Sequence, residues 1–205
     1  LQSLLTSLPA DFPIPIVVVQ HFPKYYTKEL ARNLDESCEL EVEEAHEGAG
    51  LDAGKVWIAP GGTHCEVSGW NCRPYLRIHR GPRELGVRPS INNLFRSASG
   101  IFGRDVLAIV LSGHGEDGLE GIKAVKRAGG TVMVQHPDSA LISETPLKAI
   151  RSGYVDYCFP VEEMGKKILD VINKYSAGIR ESARKIQISS GFSSYKTPSK
   201  NFNYY

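Results

Sequence analysis

Apolar residues along this chain fall into short, largely β-branched runs, each stopped by a polar or glycine-rich segment and most followed by a stretch of helical periodicity. Ile14–Gln20 (IPIVVVQ), Val106–Leu111 and Thr131–Gln135 (TVMVQ) are short and apolar on both faces, the pattern of parallel strands covered by helices on each side. Lys55–Ala59 is a further short strand, Leu40 and Val42 alternate with glutamates in a half-exposed one, and Tyr154–Phe159 reads as an edge strand ended by Pro160. Between Thr63 and Ile78, two alternating runs flank Ser68–Asn71, which predicts an antiparallel hairpin with its loop there. Arg80–Arg88 reads as loop.

The helices follow from spacing of three and four. Leu1, Leu4, Leu5 and Leu8 make the chain begin inside a helix; Thr27–Ser37 is led by Leu30 and Leu34. Pro89 suits the first position of a helix to about Ser97, with Ile91, Leu94 and Phe95 inward. Leu119, Ile122 and Val125 define a helix closed by Gly129 and Gly130, and shorter ones are expected near Ser139 and over Pro146–Arg151. Val161–Tyr175 carries Met164, Ile168, Val171 and Ile172 on one face. From Ser176 the composition turns to Ser, Lys, Asn and Tyr, so 176–205 reads as a polar, disordered tail or linker. Alternating strands and helices give an α/β domain over 1–175 with a mostly parallel sheet and a small hairpin.

With 205 residues and 41% hydrophobic content, one domain with a substantial core is expected. A net charge of +1 carries no global signature for nucleic acid or an anionic membrane. Cys38, Cys65, Cys72 and Cys158 form no CxxC pair, so they read as free thiols in a reducing cytoplasm. No apolar run approaches the roughly 20 residues that cross a bilayer, and no signal peptide opens the chain, so direct membrane insertion is not expected.

Candidate chemistry concentrates at strand ends. The run DVLAIVLSGHGEDG, 105–118, stops at a glycine-rich turn carrying His114, Glu116 and Asp117. In open parallel sheets ligands bind beyond the carboxyl ends of the strands, which is where Asp117 stands. The structural alternative is that Asp117 caps the helix that follows it. His21 follows another strand at the same sheet edge and can meet Asp117. A carboxylate that fixes one imidazole nitrogen leaves the other to take a proton from a hydroxyl, the arrangement acyl transfer needs. Glycines at 113, 115 and 118 let the backbone aim N–H groups at a developing oxyanion. A histidine at a strand end is also commonly a structural hydrogen-bonding group. A metal centre of His21, His114, Asp117 and His64 has no HExxH or comparable spacing behind it.

PIVVVQHFP at 15–23, IAPGG.H at 58–64, RPSI..LF at 88–95, LSGHGEDG at 111–118 and AGGTVMVQ at 128–135 resemble, in order, the catalytic domain of the chemotaxis protein-glutamate methylesterases, the CheB family. The resemblance implies a doubly wound α/β fold, a mostly parallel sheet with helices on both faces. It implies a serine hydrolase, needing no cofactor or metal, that removes methyl esters from glutamyl side chains on the cytoplasmic helices of methyl-accepting chemoreceptors and often deamidates receptor glutamines. By the same resemblance His21 is the triad base, Asp117 the orienting carboxylate and the backbone N–H of His114 an oxyanion donor. A receiver domain upstream in the same polypeptide is frequent in the family.

The departures are as specific. The family's nucleophile lies in a Ser-Thr-Gly-Gly turn, after a strand, directly before the helix that this chain enters at Leu1. Neither Ser3, inside that helix, nor Ser112, at a strand end, is a persuasive replacement. The expectation is therefore an N-terminally incomplete catalytic domain, inactive without the upstream strand and its serine. That strand would bury about five aliphatic side chains at about 1.5–3 kcal/mol each. His114 stands where Met is common, Val87 and Asn92 replace a His and an Asp, and Thr145 replaces the Met of a Met-Pro pair. The competing reading is a catalytically inactive module of the same fold that binds a receptor or partner.

Overall fold

The computed structural model describes residues 1–70 and 73–189, with side chains to 175 apart from that of Trp70. Its elements are α1 (Gln2–Leu5), β1 (Ile16–Val18), α2 (Tyr26–Asp35), β2 (Glu41–Glu44), β3 (Ala49–Gly50), β4 (Lys55–Ile58), β5 (His64–Trp70) and β6 (Arg73–His79). There follow α3 (Ile91–Phe102), β7 (Leu107–Val110), α4 (Leu119–Arg127), β8 (Thr131–Gln135), α5 (Glu144–Arg151), β9 (Tyr157–Phe159) and α6 (Val161–Ser189). Leu1–Lys166 forms one compact unit, and a second, from Lys167, carries the rest of α6.

The architecture is α/β with parallel strands flanked by helices, as the sequence pattern requires, but its parallel strands form two sheets of three. One has the order β1-β4-β2, the other β7-β8-β9, and β3-β6-β5 is antiparallel. Position in the sheet sets burial. In β4, paired on both sides, Val56 and Ile58 are fully buried, as are Val132, Met133 and Val134 of β8. All of β1 is only half-buried, and β7 alternates half-buried and buried positions. Among the described residues both of those strands pair on one side only. Trp57, Val67, Leu76, Leu94, Phe95, Val110, Ile122 and Val132 belong to one buried cluster that spans all three sheets, with Val17 and Val19 packed against it.

Four local expectations are corrected. Ser68, Gly69 and Trp70 lie in β5 and pair with Tyr75, Pro74 and Arg73; the remainder of the expected loop, residue 71, lies outside the described residues. A backbone ladder needs only N–H and C=O groups, so these polar and small residues do not interrupt it. Helix α3 starts at Ile91 rather than Pro89, because Ser90 is extended and its Oγ accepts the Asn93 N–H as N-cap. It continues past Ser97 to Phe102, where Gly103 takes a positive φ. Helix α6 continues past Tyr175 to Ser189, through fourteen residues of the expected tail. Its Ala, Arg, Lys and Glu are good helix formers and no proline intervenes before Pro198. Residues 190–205 of that tail lie outside the described residues.

The turn after β4 positions the site. A Cβ on Gly61 would come within 2.5 Å of the Phe22 carbonyl oxygen, so only glycine lets the loop after β1 lie this close. The Gly61 N–H donates to Thr27 Oγ1, which donates to Glu44 Oε1. The Gly62 N–H donates to the Arg88 carbonyl, so the same turn holds the approach to α3.

Candidate active site

Asp117 is buried, 5% exposed, and both its oxygens are saturated by donors. Oδ1 accepts Ser90 Oγ–H at 2.7 Å and the Asn92 N–H at 3.0 Å. Oδ2 accepts the Ile91 N–H at 2.6 Å and faces His21 Nε2 at 2.8 Å. Three of the four donors belong to the first turn of α3 and its cap, where unpaired N–H groups and the helix dipole favour an anion. Burial alone pushes the Asp117 carboxyl up. The bond from His21 and those from Asn92, Ile91 and Ser90 outweigh it and hold the group below the usual carboxylate range.

The alternative of Asp117 as a helix cap is thus realised on a different helix. Helix α4, which follows it, begins at Gly118 with no side-chain cap, while Asp117 caps α3 from twenty-five residues downstream. Gly118 takes a φ of 109° with Ile91 Cγ2 3.2 Å from where a Cβ would sit, so the chain must be glycine to turn into α4 here. Asn92, 1% exposed, completes the junction. Its Oδ1 accepts the N–H groups of Gly118 at 2.9 Å and Gly121 at 2.7 Å, tying the start of α4 to the start of α3.

His21 leaves the end of β1 with its side chain 31% exposed. With Nε2 engaged by Asp117, the nitrogen turned away from the carboxylate is Nδ1. This is the reverse of the serine protease template, in which the carboxylate takes Nδ1.

His114 sits apart from that pair. Its imidazole is exposed and its Nδ1 lies 2.9 Å from Glu144 Oε2. Among the described residues its backbone N–H has no assigned partner, whereas the Ser112 N–H donates to Gln135 Oε1 and the Gly113 N–H to the Ile142 carbonyl. His64 is buried, with Nδ1 accepting from Asn93 Nδ2 at 3.0 Å and Nε2 donating to the Pro82 carbonyl at 2.8 Å. The four residues of the metal reading therefore do not converge, and among the described residues no three His, Cys, Asp or Glu side chains form a metal-holding group. Ser112 Oγ accepts the Ile142 N–H and donates to the Ile142 carbonyl, so it serves the backbone, and Ser3 is exposed on α1. Burial pushes the Cys65 thiol up to about 12, leaving it inert at neutral pH. Cys38 and Cys158 are free thiols with raised pKa, and Cys72 lies outside the described residues.

Sequence reasoning missed the work of Ser90, Asn92, Gln135 and Glu144. The N-cap preference for serine would have revealed Ser90 had Pro89 not been placed inside the helix.

Residues 1–168 match the model of the CheB methylesterase family. The chain belongs to the CheB methylesterase family. It is 37% identical over 173 residues to a protein-glutamate methylesterase/protein-glutamine glutaminase of Oleidesulfovibrio alaskensis, covering 84% of this chain and 47% of that relative. A relative of the same name from Thermotoga maritima is 34% identical over 172 residues, covering 84% of this chain and 50% of the relative. The crystal structure of the Thermotoga maritima CheB methylesterase catalytic domain superposes with a TM-score of 0.81 at 34% identity, covering 83% of this chain and 90% of that one. The chain spans about half the length of the curated CheB relatives it matches. Among its described residues no helix is long and apolar enough to cross a membrane.

Proposed function

We propose that this domain, within a longer cytoplasmic polypeptide, hydrolyses glutamyl methyl esters on the cytoplasmic helices of chemoreceptors and deamidates receptor glutamines. His21 is the general base, Asp117 fixes its tautomer, and the His114 N–H receives the oxyanion. The nucleophile is a serine hydroxyl in the turn after a strand that precedes Leu1 in the natural protein. A receiver domain further upstream belongs to the same proposal, and relatives of about twice this length leave room for it.

The observation that carries the reading is the 2.8 Å contact between His21 Nε2 and Asp117 Oδ2. It joins the loops leaving β1 and β7, the two parallel strands with an unpaired side next to this site among the described residues. The serine oxygen attacks the ester carbonyl carbon as His21 Nδ1 takes its proton. The carbonyl oxygen gathers negative charge against the His114 N–H. Collapse breaks the carbon–methoxy bond, and the proton on Nδ1 leaves with methanol. Water then attacks the acyl-enzyme, gives a proton to Nδ1, and the serine recovers it as the glutamate is released. With a glutamine substrate the leaving group is ammonia.

Full-length natural protein incubated with methylated receptor is expected to release methanol, and a serine-directed phosphonate is expected to label one residue upstream of Leu1. Receptor binding without methanol or labelling would instead support the inactive module.

A further inference from the structure

The loop 112–116 is gripped residue by residue by the segment 142–148. Ser112 Oγ accepts the Ile142 N–H at 2.9 Å. The Gly113 N–H donates to the Ile142 carbonyl and the Gly113 carbonyl accepts the Thr145 N–H, each at 3.0 Å. His114 Nδ1 meets Glu144 Oε2 at 2.9 Å, Thr145 Oγ1 donates to the Gly115 carbonyl at 3.3 Å, and Lys148 Nζ donates to Glu116 Oε1 at 3.2 Å. The Gly115 N–H faces the Glu144 carboxylate, which also accepts Lys148 Nζ at 2.9 Å. Inside this grip the His114 N–H has no assigned partner among the described residues.

A fixed open donor is what a developing oxyanion needs, because a donor held in place costs no reorganisation when charge appears. Gly113 and Gly115 make the loop intrinsically loose, so its shape has to come from outside. Glu144 is the central tie, reaching the side chain of residue 114 and the backbone of residue 115 at once. We propose that Glu144, acting through the His114 imidazole, is a positioning residue that sets the orientation of the 113–114 peptide and thereby the oxyanion donor. This rests on the esterase reading above. His114 and Thr145, which stand where the family commonly has methionines, are in this light parts of one polar stitch.

The test uses the full-length natural protein and its Glu144→Ala, Glu144→Gln, His114→Ala and Glu144→Ala/His114→Ala variants. Removing an oxyanion donor outright costs about 10²–10³-fold in kcat, and misaligning one costs less. Glu144→Ala is expected to lower kcat about tenfold with KM unchanged, and to weaken a tetrahedral boronate analogue of the glutamyl ester by about the same factor. Glu144→Gln, whose amide oxygen still accepts from Nδ1–H, is expected to recover to within about threefold. The double variant is expected to be no worse than either single one. An active protein in which Glu144→Ala leaves kcat unchanged, or in which the two losses multiply, overturns the positioning role alone. A full-length protein with no hydrolysis overturns the esterase reading and this inference with it.

Discussion

Of the histidine–carboxylate pairs among the described residues, two differ by 0.1 Å in length and are opposite in setting. His21 and Asp117 approach to 2.8 Å with side-chain exposures of 31% and 4%, whereas His114 and Glu144 approach to 2.9 Å at 73% and 44%. Distance does not separate them; surroundings do. Asp117 is held by a helix terminus and a serine hydroxyl, in a site where an unpaired charge is costly. Glu144 is lowered to about 2, first by His114 and then by Lys148, but in solvent, where such pairs contribute little to stability. In the proposed mechanism the first pair holds a proton acceptor in one state. In the proposed positioning role the second holds a loop.

The largest expected effect that breaks this contrast is His21→Ala, which should lower kcat of the full-length protein about a millionfold, as loss of a triad base does elsewhere. Methanol release measures it, and full activity in a folded variant would remove His21 from the chemistry. Asp117→Asn should cost about 10⁴-fold; a loss below tenfold would make the two pairs equivalent.

The same variant has a stability signature with a defined sign. The folded-state pKa of Asp117 is depressed, so its contribution is present above the unfolded value, about 3.9, and is lost as pH falls through the folded value. The difference in urea stability between the natural protein and Asp117→Asn should therefore be largest near neutrality and shrink below about pH 4. A constant difference from neutral pH to about pH 2 would contradict this account of its donors. Ser90→Ala, which removes a donor to Asp117 and the cap of α3, should cost about 2–4 kcal/mol by urea denaturation. At the small end, Glu144→Gln should leave the melting temperature unchanged from about pH 5 to 8, sharpening the contrast with Asp117.

Much of this was legible beforehand, for identifiable reasons. β-branched runs ending in polar residues mark the ends of β1, β7 and β8 whatever surrounds them, so His21 and Asp117 could be put at one rim. The donors to Asp117 from α3 and its cap could not, because they lie twenty-five to twenty-seven residues upstream and reach it only when α3 and α4 pack. IPIVVVQ is as apolar as a doubly paired strand, yet β1 is half-buried, since pairing is a property of neighbours and not of the run itself. Nor does periodicity register an exposed pair such as His114 and Glu144, thirty residues apart, one on a loop and the other at the start of α5.

The way His21 is turned has a mechanical corollary. With Nε2 given to Asp117, the outward nitrogen is the one adjacent to the ring carbon that bears the side chain, so it lies close to the main chain and has little reach of its own. Swinging the imidazole about its bonds can hardly advance it. Its placement is therefore inherited from the peptide path between Val18 and Lys24, and that path rests on the bare α-carbon of Gly61. A single methyl group added at that support would be felt as a displacement of the His21 imidazole, carried by the loop that lies against the residue that changed.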